Sequence, residues 1–395
     1  MRLGCPTLSA VPVERRPRQR EARRPWFAGP AATAPSGRDA APAVTFWTGI
    51  WAPHSEGLSK QVAEVRRVCA PNAPVVSFSA GQRSALHVQS RVLCLSGRRW
   101  LWLRLAASCV ERYGEVSHVF GALDDWHLIR AVGRRPVVLT VALPGELLLG
   151  ALHRKVAVFV VESERVAQAL VGSGVDPERV AVIYPGVDLR VFRPRPRRVS
   201  SPFRVLFASS PSDPGEFGAR GISLLVETAR RRPDVEFVLL WRTWDEEADT
   251  ARAFARLAPP PNVQVDRRVI DDMTAYYATV DAVVCPYAEG FGKLCPNSVV
   301  EGAACGRPVL VSETGGIAGL VTEHHAGATF ARTPQDLSMA IDEMRRDFGR
   351  CAEGARHLAE THFDLTEVAE HYRRVYRRAL RQSAGRVLRE VARAH

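Results

Sequence analysis

The chain has 395 residues, 46% of them hydrophobic and 24% charged, which excludes a wholly disordered chain and is too long for one ordinary core, so two domains of roughly 150–200 residues are expected. The net charge is +12, but only three of the 54 basic residues are lysine (Lys60, Lys155 and Lys293). No zinc-finger spacing or aromatic RNA-binding motif accompanies the arginines, so nucleic acid is not an expected partner. The eight cysteines include no Cys-x-x-Cys and no Cys/His cluster of metal spacing. They read as reduced core thiols, and a cytoplasmic location is the simplest expectation.

In chain order, residues 1–42 come first, with eight arginines against three acids in a Pro- and Ala-rich segment. Such a segment buries too little apolar surface to order itself and is expected as a disordered basic tail. Residues 43–192 then alternate short apolar runs with helical periods. Strands are expected at 44–51, 75–79, 92–95, 116–121, 136–143, 156–163 and 179–186. Helices are expected at 55–69, 99–114, 124–133 and 164–174. The apolar run 136–149 is interrupted by Pro144, Gly145 and Glu146 and does not read as a membrane span. Residues 193–202, rich in proline and arginine, form a linker. A second series follows over 203–365, with strands at 203–209, 235–241, 263–269, 282–287 and 308–312. Its helices are expected at 222–232, 245–258, 271–280 and 296–306, with a short one at 316–323. Two more helices end the chain, the last (366–395) packing back on the N-terminal domain. Continuous apolar strands alternating with helices mean parallel sheets covered on both faces. The fold class is therefore α/β, two tandem Rossmann-like domains facing a cleft, with ligands at the carboxyl ends of the strands.

Three places in the second domain suit an anionic or polyol ligand. The loop 209–221 is glycine-rich, precedes a helix and ends with Arg220, which is placed to reach an anion. The stretch 289–309, EGFGKLCPNSVVEGAACGRPV, contains a helix start at Pro296, Asn297 and Ser298. Glu301 follows among apolar and small residues. A carboxylate there needs a partner, and sugar or ribose hydroxyls or a neighbouring arginine would each serve. Glu289 lies on the loop before that helix, and Gly315 and Gly316 form a turn before the next one.

These segments resemble the family 4 (group 1) retaining glycosyltransferases, which have the GT-B fold. The segment 179–194, RVAVIYPGVDLRVFRP, is similar to their V-x-V-I-x-P-G-V-D-x-x-x-F-x-P motif. Residues 289–316 resemble their donor-sugar motif, E-x7-E followed by A-C-G-x-P-V and a Gly-Gly turn. Residues 219–241 resemble their phosphate loop, helix and strand. The resemblance implies transfer of a sugar from a nucleotide diphosphate sugar to an acceptor hydroxyl, without a cofactor or required metal. The absence of an Asp-x-Asp triplet agrees with a metal-free site. It further implies that Glu301 binds the donor ribose and Glu289 contacts the donor sugar. Arg220 stands at the diphosphate lysine, and Gly315 and Gly316 match the glycine turn.

The pattern is not complete. Eleven residues separate Glu289 from Glu301 instead of seven, and Lys293 occupies the seven-spaced register, from which it is expected to reach the donor diphosphate. Ser209 and Ser210 stand where the family usually carries an arginine, and Ala142 stands where it often carries a histidine. His118, His127 and Glu146 are candidate substitutes, His118 being taken with Glu289 as the catalytic pair. The acceptor is left open between a glycan, a lipid and a small molecule. The basic tail, Trp100, Trp102 and the arginine-rich last helix would suit a peripheral contact with the inner membrane face. Two other readings remain: a non-catalytic nucleotide-sugar-binding protein of this fold, and a GT-B nucleotide-sugar epimerase.

Overall fold

The computed structural model describes residues 42–54, 56–79, 86–89, 91–96, 100–124, 126–145, 150–195, 202–242 and 247–394. The basic tail apart from its last residue, Glu146 and residues 196–201 of the linker lie outside them, as do the side chains of Trp100 and Trp102. The first domain runs β1 (Val44–Thr48), α1 (Gly57–Cys69), β2 (Val75–Ser79), β3 (Leu86–Gln89), β4 (Val92–Ser96) and α2 (Trp100–Val110). It continues with β5 (Val116–Gly121), α3 (Trp126–Ala131), β6 (Val137–Val141), β7 (Val156–Val161), α4 (Glu164–Gly172) and β8 (Val180–Val182). The second runs β9 (Phe203–Phe207), α5 (Phe217–Arg220), α6 (Ile222–Arg231), β10 (Val235–Leu240), α7 (Glu247–Arg256), β11 (Val263–Asp266) and α8 (Met273–Tyr277). It ends with β12 (Ala282–Cys285), α9 (Asn297–Ala304), β13 (Val309–Ser312), α10 (Ala318–Glu323), β14 (Gly327–Phe330), α11 (Pro334–Arg346), α12 (Phe348–His362) and α13 (Leu365–Ala394).

The first sheet has the order β3-β4-β2-β1-β5-β6-β7-β8, and the second β11-β10-β9-β12-β13-β14. Every pairing is parallel except β3 with β4. All residues of β1, β5, β6 and β7 are buried, as expected of strands covered by helices on both faces. Strand order reverses between β1 and β5 in the first sheet and between β9 and β12 in the second, and crevices open at such points beyond the carboxyl ends.

Four elements were not expected, the first being the short α5 within the loop 209–221. β3 is a four-residue edge strand with Val88 exposed, too short to show a period. β14 has glycine and alanine in its first two positions. α12 turns the expected two closing helices into three. Its buried face is made of Cys351, Ala355, Leu358 and Ala359, small side chains that give little hydrophobic signal but let helices approach closely. At Gly354 an added Cβ would lie 2.3 Å from the His324 carbonyl oxygen.

α13 completes the first domain from the far end of the chain. The Val187 N–H donates to Phe363 O (2.8 Å) and the Leu365 N–H to Val187 O (3.1 Å). Beyond that crossing, Val368, Tyr372, Val375, Tyr376 and Ala379 join Val44, Phe46, Phe120 and Val138 in one core cluster.

Candidate active site

The two sheets face each other at their carboxyl ends, and residues 289–301 make several contacts across the gap. Leu294 N–H donates to the carbonyl of Ala142 at the end of β6 (2.9 Å). Asn297 Nδ2 donates to the Gly57 carbonyl at the start of α1 (2.9 Å). Arg165, in the first turn of α4, donates to Thr314 O (3.2 Å) and lies 3.2 Å from Glu289, both side chains being exposed. Within the second domain, glycine lets the turn after β13 pack against this loop: a Cβ on Gly316 would sit 2.5 Å from Leu294 O. Gly315 is confined by Val311 and by the Ser312 carbonyl, which accepts its N–H at 2.8 Å.

Glu301 is buried on α9 at 6% exposure. Its Oε1 accepts from Lys60 Nζ of α1 at 2.5 Å, and its Oε2 accepts from the Tyr277 hydroxyl at 3.2 Å. Burial first, and the Glu301 carboxylate second, push the Tyr277 hydroxyl well above its ordinary value, so it stays a donor. The carbonyl of Ser298 lies 3.2 Å from the same hydroxyl, so its one proton is shared between Ser298 O and Glu301. The partner of Glu301 is thus a lysine from the opposite domain, not a neighbouring arginine. The helix starts one residue later than expected: Pro296 is the residue before it, and no side chain caps it.

Lys293 departs from expectation. It does not stand free for a diphosphate: its Nζ lies 3.0 Å from Glu162 Oε2 and donates to Cys295 O (2.9 Å). Glu162 is wholly buried at the end of β7 and also accepts from Gln61 Nε2 at 2.5 Å. Burial raises its carboxyl above the ordinary value, and Lys293 opposes that rise. Val141 pairs with Val161 in the sheet, so Glu162 stands beside Ala142, where the family often has its histidine. The sequence did not single it out: one Glu after a run of valines looks like any strand end.

His118 is corrected outright. It lies in the middle of β5 at 0% exposure, with ring nitrogens 2.9 Å from the Tyr376 hydroxyl and 2.7 Å from Thr140 Oγ1. Phe46, Phe120 and Tyr372 surround it. It is a core residue under α13 and reaches no cleft. His127 packs beside Phe78, with ring centroids 5.7 Å apart. The loop 209–221 is not open either, since it contains α5. Arg220 there lies 2.7 Å from Glu216, donates to Ser209 Oγ (2.6 Å) and sits 5.2 Å over the Phe291 ring. Ser209 thus supports Arg220 from the place of the missing arginine. Among the described residues no group of three His, Cys, Asp or Glu could hold a metal ion.

Cavities at the interface are small. One of about 300 Å³ lies between α1, α9 and the segment 185–192, lined by Lys60, Gln61, Phe192, Asn297, Val300 and Glu301 among others. One of about 40 Å³ lies between the Gly315–Gly316 turn, Lys293 and Arg165.

Residues 215–347 match the family described as "Glycosyl transferases group 1". The chain is a GT-B glycosyltransferase. A D-inositol 3-phosphate glycosyltransferase of Streptomyces bingchenggensis is 28% identical to it over 359 residues, covering 82% of this chain and 74% of that protein. One of Kineococcus radiotolerans is 30% identical over 247 residues, covering 53% of this chain and 54% of that protein. The fold of this glycosyltransferase is similar to the crystal structure of Anabaena Alr3699/HepE in complex with UDP and glucose, with TM-score 0.64 and 18% identity over 84% of this chain and 98% of that one. It is likewise similar to WaaG, a glycosyltransferase involved in lipopolysaccharide biosynthesis, with TM-score 0.58 and 16% identity over 84% and 98%. The group 1 match lies on the second domain of the glycosyltransferase, which carries Arg220, Glu289, Glu301 and the glycine turn.

Proposed function

We propose that this glycosyltransferase moves a sugar from a nucleoside diphosphate sugar to an acceptor hydroxyl, with retention of anomeric configuration and without a bound metal. The observation that carries the reading is Glu301: a buried carboxylate held at the cleft by a lysine and a tyrosine, on the helix that follows the central strand β12. A carboxylate there can exchange one of these partners for ribose hydroxyls. Arg220 and the Gly315–Gly316 turn line the path of the diphosphate. As the glycosidic bond breaks, negative charge grows on the leaving diphosphate, and the Arg220 guanidinium is suited to stabilise it. The acceptor oxygen bonds to the anomeric carbon on the face the diphosphate leaves, and its proton passes to the departing phosphate oxygen. Glu289, exposed and paired among the described residues with the equally exposed Arg165, can turn toward the donor sugar.

The similar proteins set the first substrates to try: UDP-sugars as donors and an inositol phosphate as acceptor. Purified protein with a chelator present should convert donor and acceptor to a product whose anomeric proton coupling matches the donor's. An inverted product, or activity lost to the chelator and restored by a divalent cation, contradicts the proposal. Glu301→Ala should remain folded and lose nucleotide binding. Unchanged donor kinetics in that variant remove the ribose role. Nucleotide binding with neither hydrolysis nor transfer would instead support the non-catalytic reading.

A further inference from the structure

Building on the donor reading above, we propose that Lys60 is a positioning residue that holds Glu301 in the unliganded enzyme and is displaced from it by the ribose hydroxyls of the donor. Each carboxylate oxygen of Glu301 has a partner and the side chain is only 8% exposed, so a diol reaching it from the cavity has to move the partner that stands there. Tyr277 is fixed: it is fully buried, belongs to the same domain and shares its proton with Ser298 O. Lys60 is the partner that can leave. It comes from the opposite domain, and its side chain is 39% exposed against 8% for Glu301. A flexible lysine at that exposure gives up an ion pair at small cost, whereas the buried carboxylate must keep a donor.

The surroundings favour the exchange. Lys60 and Glu301 line the cavity of about 300 Å³ between the domains. Gln61 and Asn297 line it too. Their amide groups are polar, so this part of the cavity suits a hydroxyl-bearing ligand. Lys60 has somewhere to go: Glu64, one helical turn further along α1, lines the same cavity and takes Arg67 on its Oε2, and i,i+4 partners on a helix lie within reach, so its other oxygen can take the lysine. The exchange also releases one of the bonds that close the cleft, while Lys293–Glu162 stays in place. Donor arrival at the second domain is thereby coupled to α1 of the first.

The test titrates full-length wild type, Lys60→Met, Lys60→Gln and Lys60→Arg with UDP and with 2′,3′-dideoxy-UDP by calorimetry, after thermal melts establish that each variant is folded. Lys60→Met and Lys60→Gln should bind UDP more tightly than wild type, by up to about fivefold, the scale of a half-exposed ion pair. The dideoxy nucleotide should bind wild type and both neutral variants alike, and Lys60→Arg should behave as wild type. A merely structural lysine would not distinguish the two nucleotides. Equal or weaker UDP binding by the folded neutral variants, or the same gain with the dideoxy nucleotide, overturns the proposal. Wild type that binds none of UDP, ADP or GDP rejects the donor reading itself, a result seen before any variant is compared, and the displacement proposal falls with it.

Discussion

At the scale of single residues, the difference between a site histidine and a core histidine is one of surroundings, not of sequence. His118 sits in a strand that reads VSHVFG, and only the arrival of Tyr376 and Tyr372 from the last helix makes it a buried, neutral ring. Burial depresses its pKa well below the ordinary value. As pH falls below about 6.5, the unfolded chain takes up this proton first. The contribution is therefore whole above that value and is lost as pH falls toward the folded-state pKa. Unfolding free energy, followed by urea titration between about pH 7 and pH 5, should decline, and more shallowly in His118→Gln. The same variant, compared per folded molecule at neutral pH, should keep kcat/KM within about twofold. A large loss of turnover without loss of stability would return His118 to the catalytic machinery.

At the scale of elements, small residues decide where helices lie. α12 packs on the C-terminal end of α10 through Gly354 and its alanines, and the Gly354 Cα lies where a methyl group would strike the His324 and His325 carbonyl oxygens. Backbone atoms cannot rotate away as a side-chain tip can. Gly354→Ala should therefore destabilise the chain by about 1–3 kcal/mol, the usual effect of forcing a methyl into a packed contact, measured as a shift in the urea midpoint. A neutral result would mean that α12 can slide without cost. The same reasoning explains why this helix was not legible in the sequence. Its buried positions are cysteine, alanine and one leucine, so the 3.6-residue period carries little hydrophobic contrast. α13 was legible, because its inward face carries valines and tyrosines, and it covers the first domain, on which it was expected to pack.

At the scale of the whole molecule, two of the three lysines pair across the cleft in opposite senses. Lys60 of the first domain meets Glu301 of the second, and Lys293 of the second meets Glu162 of the first. The second pair is the more deeply buried, with side-chain exposures of 9% and 0%. Breaking it from either side leaves a charge in a dry place, so Glu162→Gln and Lys293→Met should each cost about 3 kcal/mol. The double variant should cost much less than the sum, a double-mutant cycle giving a coupling of about 1–3 kcal/mol. Strict additivity would mean that the two side chains do not act as a pair in solution.

The sequence alone determined the two parallel α/β domains, because the alternation of apolar strands and amphipathic helices is written locally. It also pointed to the second domain for the proposed donor site, because Arg220, Glu301 and the Gly315–Gly316 turn fall after strands at the expected carboxyl ends. Only the tertiary structure decided what those groups face. Lys60 lies 241 residues from Glu301 and Glu162 lies 131 from Lys293, and no local pattern relates them. The physical reason is that a charge in a cleft takes its meaning from the partner that compensates it. For Glu301 and Lys293 the partners come from the opposite domain, brought together by the closing of one sheet edge on the other.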